Sequence, residues 1–223
     1  MGIIQGHSDL FVTCSTNDIR VRYTPERLER LRITVPNVTR HAVEVTRDGM
    51  VIVSAGAMDF AGSPAVLVLQ LRSVGLMWEL LYKKGLVWKG KSDNSVRKVC
   101  APGQSLSFCS SAWNDGKIRA FVPATGEPMY EINNARNLGV TAIAATSDCK
   151  QIISGGGDGQ VRIWNIGEKT QKLREVLKEH RGAVSCIKTN KNDKEGVTAS
   201  LDGTCVIWDL ERYVRKQMIL DNC

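Results

Sequence analysis

The chain has 223 residues, 43% of them hydrophobic and 6% aromatic, with a formal charge of +7. That length and apolar content suffice for the core of one all-β domain. Seven cysteines, an odd number with no Cys-x-x-Cys pair, argue against a disulfide framework or a zinc ribbon. The chain opens with no secretory signal, so reduced thiols in a cytosolic compartment are expected. The basic balance raises nucleic acid or an acidic protein surface as partners.

Alternating apolar residues mark the strands in chain order. Leu10–Ser15 and Ile19–Arg22 flank an Asn17-Asp18 turn, and a third strand is expected around Leu28 to Ile33. His41–Val45 and Met50–Ala55 open a second group, whose turn and third strand follow only at Ser111–Phe121. A third group runs Gly139–Ala144, Gln151–Ser154, Val161–Trp164 and Leu173–Leu177. The fourth runs Val184–Lys188, Gly196–Ser200, Cys205–Trp208 and Gln217–Leu220.

Two segments carry the repeat: Ser154-Gly-Gly-Gly-Asp158-Gly159-Gln-Val-Arg-Ile-Trp164-Asn165 and Thr198-Ala-Ser-Leu-Asp202-Gly203-Thr-Cys-Val-Ile-Trp208-Asp209. Each reads as a strand, an Asp-Gly turn and a second strand closed by Trp. The Asp-Gly pair predicts positive φ in a tight two-residue hairpin. Phe121 to Trp164 is 43 residues and Trp164 to Trp208 is 44, a spacing typical of propeller blades. On these residues the chain resembles the WD-repeat β-propeller family. The resemblance implies an all-β, partial propeller of about three and a half to four antiparallel four-stranded blades, with the ring not closed.

Arg22 to Phe121 is 99 residues, which leaves a surplus of 56 over one 43-residue period. The expected organisation is an incomplete first blade and the start of the second over 1–55. An insert foreign to the repeat spans 56–110, and the rest of the second blade plus two more span 111–223. The insert holds seven Lys or Arg against three Asp or Glu, so +4 of the total +7 sits there. Its apolar run from Ala65 to Tyr82 is broken by Gln70, Arg72 and Glu79, which argues against a membrane span.

The family resemblance implies a buried structural tetrad of His180, Ser200 (or Thr198), Asp202 and Trp208. Blade turns are expected at Asp115-Gly116, Asp158-Gly159 and Asp202-Gly203. Strand-closing aromatics are expected at Phe121, Trp164 and Trp208. Arg136 stands at the His position of the third group and Arg22 at the Trp position of the first. A Ser-His-Asp nucleophile is weighed and set aside, since no nucleophile elbow accompanies these residues. The glycine run at 155–159 lacks the Gly-Lys-Ser or Gly-Lys-Thr of a phosphate loop. His7, His41 and His180 are too dispersed for a metal site. Lys83, Lys84, Lys89, Lys91, Arg97 and Lys98 read as a basic stretch of the insert rather than a nucleic-acid patch.

Several segments, among them Asn114–Phe121, Glu131–Ile143 and Ser200–Leu210, resemble axonemal members of the family. That resemblance implies a non-catalytic scaffold of the cilium or flagellum, in the cytoskeleton of the cytoplasm. Its implied partners are tubulin of the doublet microtubules and proteins of the microtubule lumen. It implies no cofactor, small-molecule substrate, nucleic acid or membrane. The alternative is a WD-repeat adaptor for a ubiquitin ligase or signalling complex.

Overall fold

A computed structural model describes residues 2–3, 10–14, 18–23, 28–34, 43–45, 51–58, 64–74, 77–86, 96–100, 109–122, 127–133, 135 and 139–220. Among these every helix or strand element is a strand. The first sheet joins β1 (Gly2–Ile3), β2 (Leu10–Cys14), β3 (Asp18–Tyr23) and β4 (Leu28–Thr34). The second joins β5 (Val43–Val45), β6 (Val51–Met58), β7 (Pro64–Val74) and β8 (Met77–Leu86). The third holds β9 (Val96–Cys100), β10 (Cys109–Trp113), β11 (Ile118–Phe121) and β12 (Pro128–Ile132). The fourth holds β13 (Val140–Ala145), β14 (Gln151–Gly156), β15 (Val161–Ile166) and β16 (Gln171–Leu177). The fifth holds β17 (Val184–Thr189), β18 (Glu195–Ser200), β19 (Thr204–Asp209) and β20 (Val214–Leu220). In each sheet the strands lie side by side in chain order, the pattern of a propeller blade.

The chain divides into two compact units, Met1–Ser110 with Ala120–Met129, and Ser111–Arg119 with Tyr130–Cys223. In the first unit the structure differs from the expected organisation. Residues 56–110 contain β7, β8 and β9, and β6 pairs with β7 rather than rejoining the strand at Ser111. The ladders give the physical reason. Pairing of β3 with β4 shifts register between Val21 and Arg22, and β15–β16 and β19–β20 shift just before Trp164 and Trp208. The β7–β8 ladder shifts between Gln70 and Leu71. Leu71 lies 49 residues after Arg22 and 50 before Phe121, so the 99-residue interval accommodates two repeats. The apolar runs on either side of 75–76 are two strands of one such repeat, without the Asp-Gly turn and strand-closing Trp of the fourth and fifth sheets.

In the second unit the positive φ of each Asp-Gly turn is taken by the glycine alone. Gly116, Gly159 and Gly203 have φ of 79°, 73° and 78°, while the aspartates before them do not take positive φ. Gly159 N–H donates to the Gly156 carbonyl at 3.2 Å, and Gly203 N–H to that of Ser200 at 3.3 Å. The hairpin is therefore a four-residue turn ending on a left-handed glycine, not the two-residue form. The aspartate serves through its side chain. Asp115, Asp158 and Asp202 each accept from the N–H two residues on, at 3.1, 3.2 and 3.0 Å, an Asx-turn that holds the next strand in place.

The apolar layer of this unit lies between the fourth and fifth sheets. Ala142, Ala144, Ile153, Val161, Ile163 and Leu177 face Val184, Ile187, Val206, Trp208 and Leu210. Alternation sets this up, because residues two apart on a strand share a face. The sheets approach closely at Gly155, where an added Cβ would lie 2.6 Å from the Val184 Cβ. The Thr141 hydroxyl bridges the two sheets, meeting the Val184 carbonyl at 2.7 Å.

Candidate functional site

Three hydroxyls on the second strands of successive sheets each receive an indole N–H. Trp208 Nε1 donates to Thr198 Oγ1 at 2.8 Å, and Trp164 Nε1 to Ser154 Oγ at 3.0 Å. In the third sheet Trp113 Nε1 donates to Ser111 Oγ at 2.8 Å. Thr198, Ser154 and Ser111 recur at spacings of 44 and 43. Phe121 holds the strand-closing position of the third sheet and is 3% exposed. It has no N–H to give, and Trp113, two residues beyond the hydroxyl, supplies the donor instead.

At the fifth sheet the chain of bonds runs further. His180 Nε2 lies 2.7 Å from Thr198 Oγ1, and its Nδ1 lies 2.8 Å from Thr204 Oγ1. The Thr204 hydroxyl donates to Asp202 Oδ1 at 2.6 Å. Spent in this way, Thr204 accepts from His180 Nδ1–H, which leaves Nε2 as an acceptor for the Thr198 hydroxyl. Thr198 in turn accepts from Trp208, so each buried donor has an acceptor. The His180 side chain is fully buried, and its Nδ1 also stands 3.4 Å from Asp202 Oδ2.

The structure thus brings His180, Asp202 and Trp208 together and puts Thr198, not Ser200, between the imidazole and the indole. Strand register is the reason. Thr198 pairs with Val206 and shares the face of Trp208, ten residues later. Ser200 ends β18 at the turn, where its hydroxyl accepts from the Asp202 N–H at 3.2 Å. Thr204 was not read from sequence as a member. Its signal is its place two residues after the turn aspartate, where a hydroxyl reaches the carboxylate. The third-group Arg136, with His7 and His41, lies outside the described residues.

Asp202 also accepts the Arg181 N–H at 2.7 Å. Burial opposes its charge, yet the Thr204 hydroxyl and the N–H groups of Arg181 and Thr204 hold its carboxyl well below the usual range. The unfolded chain therefore binds more protons at this site in acid. The stabilisation is complete above the ordinary carboxylate value of about 4 and is lost as pH falls below it. Carbon NMR of the Asp202 carboxyl should show no protonation between pH 6 and about 4. A midpoint at or above the ordinary value would contradict the bond pattern.

The third sheet replaces this chain by an ionic one. The Arg119 guanidinium is 4.7 Å from the Trp113 ring centroid and pairs with Asp115 at 2.7 Å and Glu131 at 2.8 Å. Lys117 reaches Glu131 at 2.7 Å. Burial raises the Glu131 carboxyl, but hydrogen bonds and charge from Lys117 and Arg119 bring it below its usual value. Asp158, Asp115 and Asp202 thus share the turn but not the same partners. None of this presents a nucleophile: Thr198 is 1% exposed and its hydroxyl is committed on both sides.

These features define a class, an all-β chain of four-stranded antiparallel sheets laid out as in part of a WD-repeat propeller. Residues 126–165 and 171–209 match the family described as WD domain, G-beta repeat. Over 97% of its length the chain is 46% identical to cilia- and flagella-associated protein 52 of Homo sapiens, and 32% identical to that of Chlamydomonas reinhardtii. A stretch covering 40% of the chain is 66% identical to the Macaca fascicularis protein of the same name, spanning 16% of it. The chain spans about a quarter (26%) of the length of the human and algal relatives.

Proposed function

We propose that the chain is part of a non-catalytic structural scaffold of the ciliary or flagellar axoneme, binding doublet microtubules and the proteins associated with them. The observation that carries this reading is the identity to cilia- and flagella-associated protein 52, 46% and 32% over 97% of the chain in a mammal and an alga. Supporting it, the described polar clusters are spent on holding turns and sheets rather than opened to a substrate. In this reading the His180–Thr198–Trp208 chain with Asp202 stiffens the fifth sheet, and the turns at Asp115-Gly116, Asp158-Gly159 and Asp202-Gly203 fix the loops that meet partners. Tubulin and lumen proteins are the proposed partners.

The test is fractionation of ciliated cells expressing the tagged protein. It should remain with doublet microtubules after detergent and mild salt, as a lodged part would. Recovery wholly in the detergent-soluble fraction would overturn the axonemal reading.

A further inference from the structure

Among the described residues, three that are not glycine take a left-handed backbone: Cys149, Asp193 and Tyr213, with φ of 63°, 59° and 59°. Residues with a side chain rarely adopt that conformation, bulky ones least of all. Cys149 and Asp193 stand 44 residues apart, each two residues before the second strand of its sheet. The shape of that turn therefore asks for a left-handed residue, and glycine would supply it with the least strain. What aspartate adds is reach. Asp193 Oδ2 accepts from the Ser147 N–H at 2.7 Å and from the Ser147 hydroxyl, both in the turn of the fourth sheet. Its Oδ1 is buried without a hydrogen-bond partner among the described residues, so the contact is kept against a desolvation cost.

Tyr213, the residue before β20, reaches the fourth sheet from a second point. Its hydroxyl accepts from Gln151 Nε2 of β14 at 3.0 Å, and its ring lies 5.6 Å from the Arg174 guanidinium of β16. Both contacts lie at one end of the seam between the sheets. Ser147 follows the last residue of β13, and the Thr141 bridge to Val184 sits near the first. A groove of about 830 Å³ opens at the Ser147 end, with Gln151, Asp193 and Tyr213 in its wall. Left-handed residues with polar reach thus span the seam where the groove parts it.

We propose that Asp193 and Tyr213 form a two-point latch. Through them the groove end of the seam opens and recloses as one local unit, while the apolar layer and the Thr141 bridge hold the other end. Release frees Tyr213 from its strained backbone, which lowers the cost of opening. This goes beyond the axonemal reading and does not depend on it. The experiment is native-state hydrogen exchange of the full chain by NMR, read at the Ser147 N–H, which Tyr213 does not touch. Tyr213→Gly suits the left-handed position but removes the second contact, and should speed exchange at Ser147 about tenfold. Tyr213→Phe keeps the ring and the backbone, removes only the hydroxyl, and should speed it roughly threefold. The amides of β15 should stay within about twofold in both variants. Relief of strain alone predicts the opposite direction, slower exchange in Tyr213→Gly. Unchanged or slower exchange at Ser147 in the Phe variant would overturn the latch, since the two contacts would then act separately. Equal acceleration of the β15 amides would also overturn it, by showing that the whole sheet loosens.

Discussion

Replacing Trp208 by alanine is expected to destabilise the second unit by about 3–5 kcal/mol, the usual cost of emptying a large aromatic site in a core. The indole is 2% exposed and belongs to the layer shared with Ile153 and Ile163 of the neighbouring sheet. Its loss removes apolar contact for both sheets and leaves the Thr198 hydroxyl without its donor. Native-state hydrogen exchange of the full chain should therefore show lost protection in β14 and β15 as well as in β18 and β19. Loss confined to the fifth sheet would show that the layer does not couple the two.

Thr198→Val keeps the shape of the side chain and removes only the hydroxyl. Both the Trp208 N–H and the His180 Nε2 then lose a partner in a dry site, and each orphaned group costs roughly 1–3 kcal/mol. Ser200→Ala removes one partly exposed acceptor at the turn, with a smaller expected loss of about 0.5–1.5 kcal/mol. Urea unfolding followed by fluorescence separates them. Equal shifts for the two variants, or a larger one for Ser200→Ala, would mean that the indole and imidazole are not held through Thr198.

The repeat in the second unit is legible because its marks are backbone necessities. A left-handed glycine after an aspartate and two apolar residues two apart can be read one letter at a time. Which hydroxyl meets the indole is not legible in that way. Thr198 and Ser200 lie on the same face of a strand, and only the register Thr198↔Val206 singles out the former. The Arg119–Trp113 arrangement was hidden for a similar reason, since the missing strand-closing Trp is made good from another strand. In the first unit β7 opens after no Asp-Gly turn and has Leu71 where Trp164 and Trp208 stand, while the Trp of β8, Trp78, is out of that register. Their apolar runs therefore looked foreign until the recurring register shift at Leu71 placed them.

The Gly155–Val184 approach and the Thr141 bridge have a consequence for synthesis. Each of the two sheets supplies about half of the apolar layer between them, so neither owns a complete core. In stacked repeats the energy resides largely in such neighbour interfaces. A nascent chain that has emerged only as far as Lys178 holds Ile153, Val161 and Ile163 with nothing to cover them. The fourth sheet must wait, partly formed and open to chaperones, until some forty further residues have left the ribosome and β17 can close over Gly155. A protease that cuts the 178–183 link later, in the folded protein, meets the opposite situation. The severed halves share one layer, and the nick alone does not part them.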